Sequence, residues 1–328
     1  MTEIVERGKR FAWVDWMKAL GIYLIVLGHF YSVGEVFLYV FHVPLFFAIS
    51  GFLNKRETES RVFWKKLWYN LVVPMLLMAT ANFLYHCIVQ MFKGTFSPVD
   101  VYWFVRNLAF GMVSGLDTLW FVYTLIFLKI VYQYIRPNKF FYALTAVMLL
   151  LAYVYNHVEL SGYPFFMSEP SAFIDVCTAY PFFALGVYMR NVKGWLNSFS
   201  DRFMLLAMVV GGLMIVTVCS AYNGHVGMFR CDYGENILLF LLGAVAGTVM
   251  IWAIAKLAGP APGSIIVISR GTIIILGFHK MLIDLVRAYC TPSALDVVFA
   301  LLILLLFIPI IVATEKVFPL LAGKYRTK

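Results

Sequence analysis

Three ionisable side chains fall in one apolar stretch near the start of the chain. WVDWMKALGIYLIVLGH (13–29) carries Asp15, Lys18 and His29. A helix turns about 100° per residue, which sets Lys18 about 60° from Asp15 and His29 about 20° from Lys18, all on one face. Lys18 and His29 then stand about 16 Å apart along the axis. Asp15 and Lys18, three residues apart, can pair. An imidazole, whose ordinary pKa is about 6.5, suits a general base or a transient acyl carrier. A second reading stays open, in which Asp15 and Lys18 are a snorkelling interfacial pair and His29 a satisfied interfacial histidine.

Further polar groups recur at similar depth. FHVPLFFAISGF (41–52) holds His42, with Pro44 expected to loosen the helix and free carbonyls nearby. DTLWFVYTLIF (117–127) brings Asp117 and Trp120, and SRGTIIILGFHK (269–280) brings His279. Together they are expected to form one polar site below the outer surface. A metal centre is not expected, because no carboxylate sits three or four residues after any of these histidines. A proton relay in a transporter would use the same groups and is the competing reading.

The elements that must carry these residues follow from composition. The 328 residues are 62% hydrophobic and only 13% charged, with mean hydropathy +0.85. A soluble fold of this length needs far more polar surface, so a cytosolic enzyme, a secreted domain and a disordered chain are excluded. The expected class is an all-α polytopic membrane protein, one integral membrane domain over residues 1–328. Ten stretches are apolar and long enough to cross a bilayer, roughly 13–32, 36–53, 69–91, 117–135, 139–156, 172–190, 202–222, 235–258, 265–288 and 295–319. With the N-terminus inside, seventeen lysines and arginines fall on the cytoplasmic side and four outside, which places both termini in the cytoplasm. The net charge of +9 is thus mostly an insertion signal, and a nucleic-acid partner is not expected.

Three other features bear on the site. VDVYWFVRNLAF (99–110) reads as an amphipathic helix at the outer interface, either a roof over a cavity or an anchor. KRETESRVFWKK (55–66) gathers five basic residues on the cytoplasmic side, as topology signal or as a dock for a phosphate-rich ligand. Cys219 and Cys231 could pair in an oxidising compartment, although small buried thiols are the commoner case.

On these motifs the chain resembles the acyltransferase-3 family of integral membrane acyltransferases, nearest its fucose 4-O-acetylase-like branch. Arg10 with the 13–29 segment and FHVPLFFAISGF carry the likeness. LWFVYTL (119–125), YPFFALGVYMR (180–190) and SRGTIIILGFH (269–279) extend it in order along nearly the whole chain. Family members place a basic residue, ten residues and a histidine in the first span, here Lys18 and His29, with Asp15 ahead of them. Many also carry an arginine four residues before the span-3 proline, where this chain has Asn70 before Pro74.

The resemblance implies O-acyl transfer from cytoplasmic acetyl-CoA to a sugar hydroxyl of an envelope or exported carbohydrate, free or lipid-linked. It implies a bacterial inner (cytoplasmic) membrane location. Asp15, Lys18 and His29 would be catalytic, and Lys18, Arg61, Lys65 and Lys66 would meet the donor. His42, His279, Asp117 and Trp120 would serve the acceptor or the oxyanion.

Overall fold

The computed structural model describes residues 10–112, 117–157 and 174–324. Among them the chain is helical and forms no strand, and Gly227 and Asp232 make an isolated bridge. In order come α1 (Ala12–Gly28), α2 (Glu35–Tyr39), α3 (His42–Leu53), α4 (Ser60–Leu67), α5 (Val73–Lys93), α6 (Val99–Phe110), α7 (Trp120–Tyr134) and α8 (Lys139–His157). Then follow α9 (Asp175–Asn191), α10 (Lys193–Ser198), α11 (Arg202–Asn223), α12 (Ile237–Ala258), α13 (Gly263–Arg270), α14 (Thr272–Arg287) and α15 (Asp296–Val317).

Helices occupy the ten stretches expected to span, though residues 172 and 173 lie outside the described residues. Length and apolarity alone qualify five of them, at 35–53, 60–93, 202–223, 237–258 and 296–317, or six when the bent pair α13–α14 counts as one. The shortfall is one of length: α1, α7 and α9 have only 17, 15 and 17 residues, and the apolar part of α8 is Lys139–Tyr155. The first three also carry Asp15 and Lys18, Lys129, and Asp175 and Arg190. The fold is that of an all-helical chain consistent with a membrane protein. Leucines of α15 such as Leu301, Leu302, Leu305 and Leu306 stand exposed in a row, as do Leu206, Val210 and Leu213 of α11. Apolar patches of that extent belong against lipid.

α1 is the central post, packed against α3, α12, α13, α14 and α15. Close helix approach around it is set by small residues. A Cβ on Gly51 of α3 would strike the Phe183 carbonyl of α9, and one on Gly186 would strike the Ala48 carbonyl. α11 and α12 form a tight hairpin in which Gly212 lies against Met250.

Two expected spans are broken. The 36–53 stretch divides at Val40 and Phe41, so Pro44 sits in the first turn of α3, where its missing N–H costs nothing. The break falls just before His42, three and four residues ahead of Pro44, where a proline ring crowds the i−4 carbonyl and its missing N–H would interrupt a continuous ladder. The 265–288 stretch divides at Gly271, where α13 and α14 meet at 83°. Gly271 is filled against the Ile311 side chain of α15, which leaves no room for a Cβ. His279 is thus carried by α14 alone, about 10 Å along it from Thr272. α6 forms at Val99–Phe110, with Phe104 stacked on Phe83 at 4.1 Å. All five cysteines are free; Cys231 is buried with its thiol toward Asp175, and burial pushes that thiol's pKa up.

Candidate active site

At the N-terminal end of α1 the expected Asp15–Lys18 pair is replaced by a stronger one. Arg10 Nε donates to Asp15 Oδ2 at 2.6 Å and its Nη2 to Oδ1 at 2.8 Å. Ser269 Oγ of α13 donates to the same Oδ1 at 2.6 Å. A planar guanidinium matches both carboxylate oxygens at once, which a lysine ammonium cannot do. Asp15 therefore anchors α1 to the bend before Gly271, and Lys18, one turn on, points into a cavity.

That cavity holds about 250 Å³. Its walls are mostly apolar, with Ile22, Ile25, Phe46, Phe121 and Leu276 among them, and its cations are Lys18 and Lys129. A neighbouring cavity of about 320 Å³ shares Leu53, Leu71 and Lys129 with it and is lined further by Lys55, Glu57, Lys66 and Asn70. Lys66 Nζ pairs with Glu57 at 2.7 Å. Arg61 and Lys65 sit on the exposed face of α4 and line neither cavity.

At the other end of α1 the histidines come together. The His29 and His279 rings meet edge to face with centroids 4.9 Å apart. His29 and His42 line one small cavity of about 70 Å³ with Tyr31, Tyr39, Thr118, Trp120 and Phe229. His42 and His279 are buried, while His29 is half-buried. Each ring donates from Nδ1 to backbone: His29 to Ile25 O at 2.8 Å, His42 to Leu38 O at 2.6 Å, and His279 to Ile275 O at 2.9 Å and Leu276 O at 3.0 Å. A carbonyl only accepts, so Nδ1 carries the proton and Nε2 of each neutral ring keeps its lone pair. His279 Nε2 is buried with no hydrogen-bond partner among the described residues. Leu276 O also accepts from Thr118 Oγ1 at 2.8 Å. Ile25 and Leu276 thus wall the 250 Å³ cavity on one side and hold the imidazoles on the other.

The rim of the histidine cavity is aromatic. Tyr39 lies between His42, at 4.8 Å, and His225, at 5.0 Å. His225 Nε2 stands 3.3 Å from Glu35 Oε1. Gly28 leaves space for this packing, since a Cβ there would lie 3.3 Å from the Tyr39 ring. Trp120 is buried against Phe47 and Phe229. Asp117 opens a short 3-10 turn, Asp117–Leu119, but its side chain lies outside the described part of the structure. So do Arg7, Lys9, Arg326 and Lys328 of the cytoplasmic charge count, and the side chain of Arg230. Among the described residues no three His, Cys, Asp or Glu groups gather as a metal site.

Sequence reasoning passed over several of these residues. Lys129 had a signal, because a lysine inside a span is a functional candidate by default. Arg287 had none. It forks onto Asp296 at 2.9 and 2.7 Å, donates to Phe30 O at 2.7 Å, and lies 4.8 Å over the Phe30 ring. This clamp ties the residue after His29 to the helix that bears His279.

Fold and site together define a helical chain with apolar candidate spans, a cation-lined cavity and an imidazole cluster beyond its wall. A family model described as an acyltransferase domain, acyltransferase-3, matches residues 11–315, and the chain belongs to that family of acyltransferases. No curated protein and no solved structure matches it.

Proposed function

We propose that this chain is a membrane O-acyltransferase of the fucose 4-O-acetylase-like kind, taking an acetyl group from cytoplasmic acetyl-CoA to a hydroxyl of an envelope or exported carbohydrate. In this reading all ten helical stretches span the inner membrane of a bacterium and both termini are cytoplasmic. The observation that carries it is the layout along α1. Cations line the two cavities at its inner end, and His29 meets His279 at its outer end.

The dimensions support an acyl-CoA donor. Lys66 and Lys55 suit a phosphate-bearing nucleotide, and the apolar cavity suits a pantetheine arm. The rise from Lys18 to His29 is about 16 Å. An extended arm of about twelve bonds spans roughly 15 Å. When bound, the donor supplies a thioester carbonyl open to attack.

His29 Nε2 then accepts the proton of the acceptor hydroxyl as its oxygen bonds to that carbonyl carbon. The carbon–sulfur bond breaks, and the imidazolium returns the proton to the departing thiolate sulfur. His279 and His42 orient the acceptor or steady the oxyanion, and Trp120 and Tyr39 offer aromatic faces for a sugar ring. Asp15, held by Arg10 and Ser269, sets the start of α1. The competing export reading gains nothing from the family membership.

Mass spectrometry of surface glycans tests this reading. A deletion strain should lose an acetyl increment that wild type restores and His29→Ala does not. An unchanged glycan profile in the deletion strain would refute it.

A further inference from the structure

Lys129 is the cation common to both inner cavities, and no motif surrounds it. Its place is fixed by a staple at the end of α7. Arg56 Nη2 donates to Gln133 O at 2.6 Å, Glu57 N to Gln133 Oε1 at 3.1 Å, and Gln133 Nε2 to Glu57 O at 2.9 Å. One turn before Gln133, Lys129 Nζ donates to Asn54 Oδ1 at 2.7 Å. The Asn54 carbonyl is taken by Arg190. The ammonium is thus held where the two cavities adjoin by one neutral partner, Asn54, with Glu57 acting on it at longer range. Lys18 faces the same chamber from α1, and among the described residues no carboxylate lies within ion-pair distance of either lysine.

Two ammonium groups in a mostly apolar chamber call for a dianion, because buried charge is stable only when matched. We propose that Lys129 and Lys18 together hold the pyrophosphate of the acyl-CoA donor at this junction. This rests on the acyl-CoA reading above and adds to it the residue and the phosphate. With the pyrophosphate beside Lys18, the arm runs along α1 to His29. The 3′-phosphate is left to the outer of the two cavities, among Lys55 and Lys66. Lys129 so supplies a cation near Asn70, which lines that same outer cavity.

Calorimetric titration of the purified full chain in nanodiscs with CoA and with 3′-dephospho-CoA tests the assignment. Lys129→Met should weaken both ligands by the same factor, about 10- to 100-fold. Lys129→Arg, which keeps the charge, should stay within about threefold of wild type. If Lys129→Met fails to fold, Lys129→Gln, which can still bond Asn54, takes its place with the same expectation. Unchanged affinity, a penalty that vanishes with 3′-dephospho-CoA, or an arginine variant as weak as the methionine would overturn it. Wild-type protein that binds neither ligand would instead refute the acyl-CoA donor itself.

Discussion

His29, His42 and His279 each donate an Nδ1 proton to a carbonyl about one turn back, which leaves Nε2 as the basic nitrogen. The reaction proposed here asks most of His29, the half-buried member of the set. The spacing of Asp15, Lys18 and His29 was readable from helical period alone, and the shared face follows from it. The partner of Asp15 was not readable, because Arg10 lies before the helix and folds back on it, and Ser269 is 254 residues away. Asp15→Asn keeps the shape but weakens the fork and should lower stability by about 1–3 kcal/mol, seen as a lower melting temperature in detergent. A melting curve that overlays wild type would show that the pair is not structural.

Helices impose the geometry that single residues cannot. The crossing of α3 and α9 leaves no volume at Gly51 or Gly186, each of which faces a carbonyl of the other helix. Gly186→Val should therefore destabilise the chain by about 1–3 kcal/mol or more, read as lost monodisperse yield. Normal yield and melting temperature would contradict that packing. The clamp of Arg287 on Asp296 and Phe30 O fixes α14 relative to the end of α1, and hence His279 relative to His29. Arg287→Lys keeps a charge but not the fork. It should cut turnover about tenfold or more while CoA affinity holds. An equal loss in CoA affinity would point to a general folding role. The breaks at Val40–Phe41 and Gly271 escaped periodicity, because apolar residues continue through both and only the seating of Ile311 on Gly271 reveals the bend.

Across the whole molecule, apolar content announced the membrane and the lysine and arginine distribution announced an orientation. The ten stretches were legible because each is apolar and bounded by charge. Four fall short as isolated spans: α1, α7 and α9 run only 15 to 17 residues, and the apolar part of α8 ends at Tyr155. In a cysteine-free background, Asp232→Cys should react with an impermeant maleimide on intact cells, and Lys193→Cys only after permeabilisation. The reverse pattern would invert the donor and acceptor sides. The central claim is that one helix links a cytoplasmic donor site to an imidazole base. It is tested most directly by labelled acetyl transfer from acetyl-CoA to envelope glycan by the purified chain in proteoliposomes, wild type beside His29→Ala. The account predicts transfer by wild type and a fall of about 10²-fold or more in the variant. Equal transfer by the two proteins would contradict it.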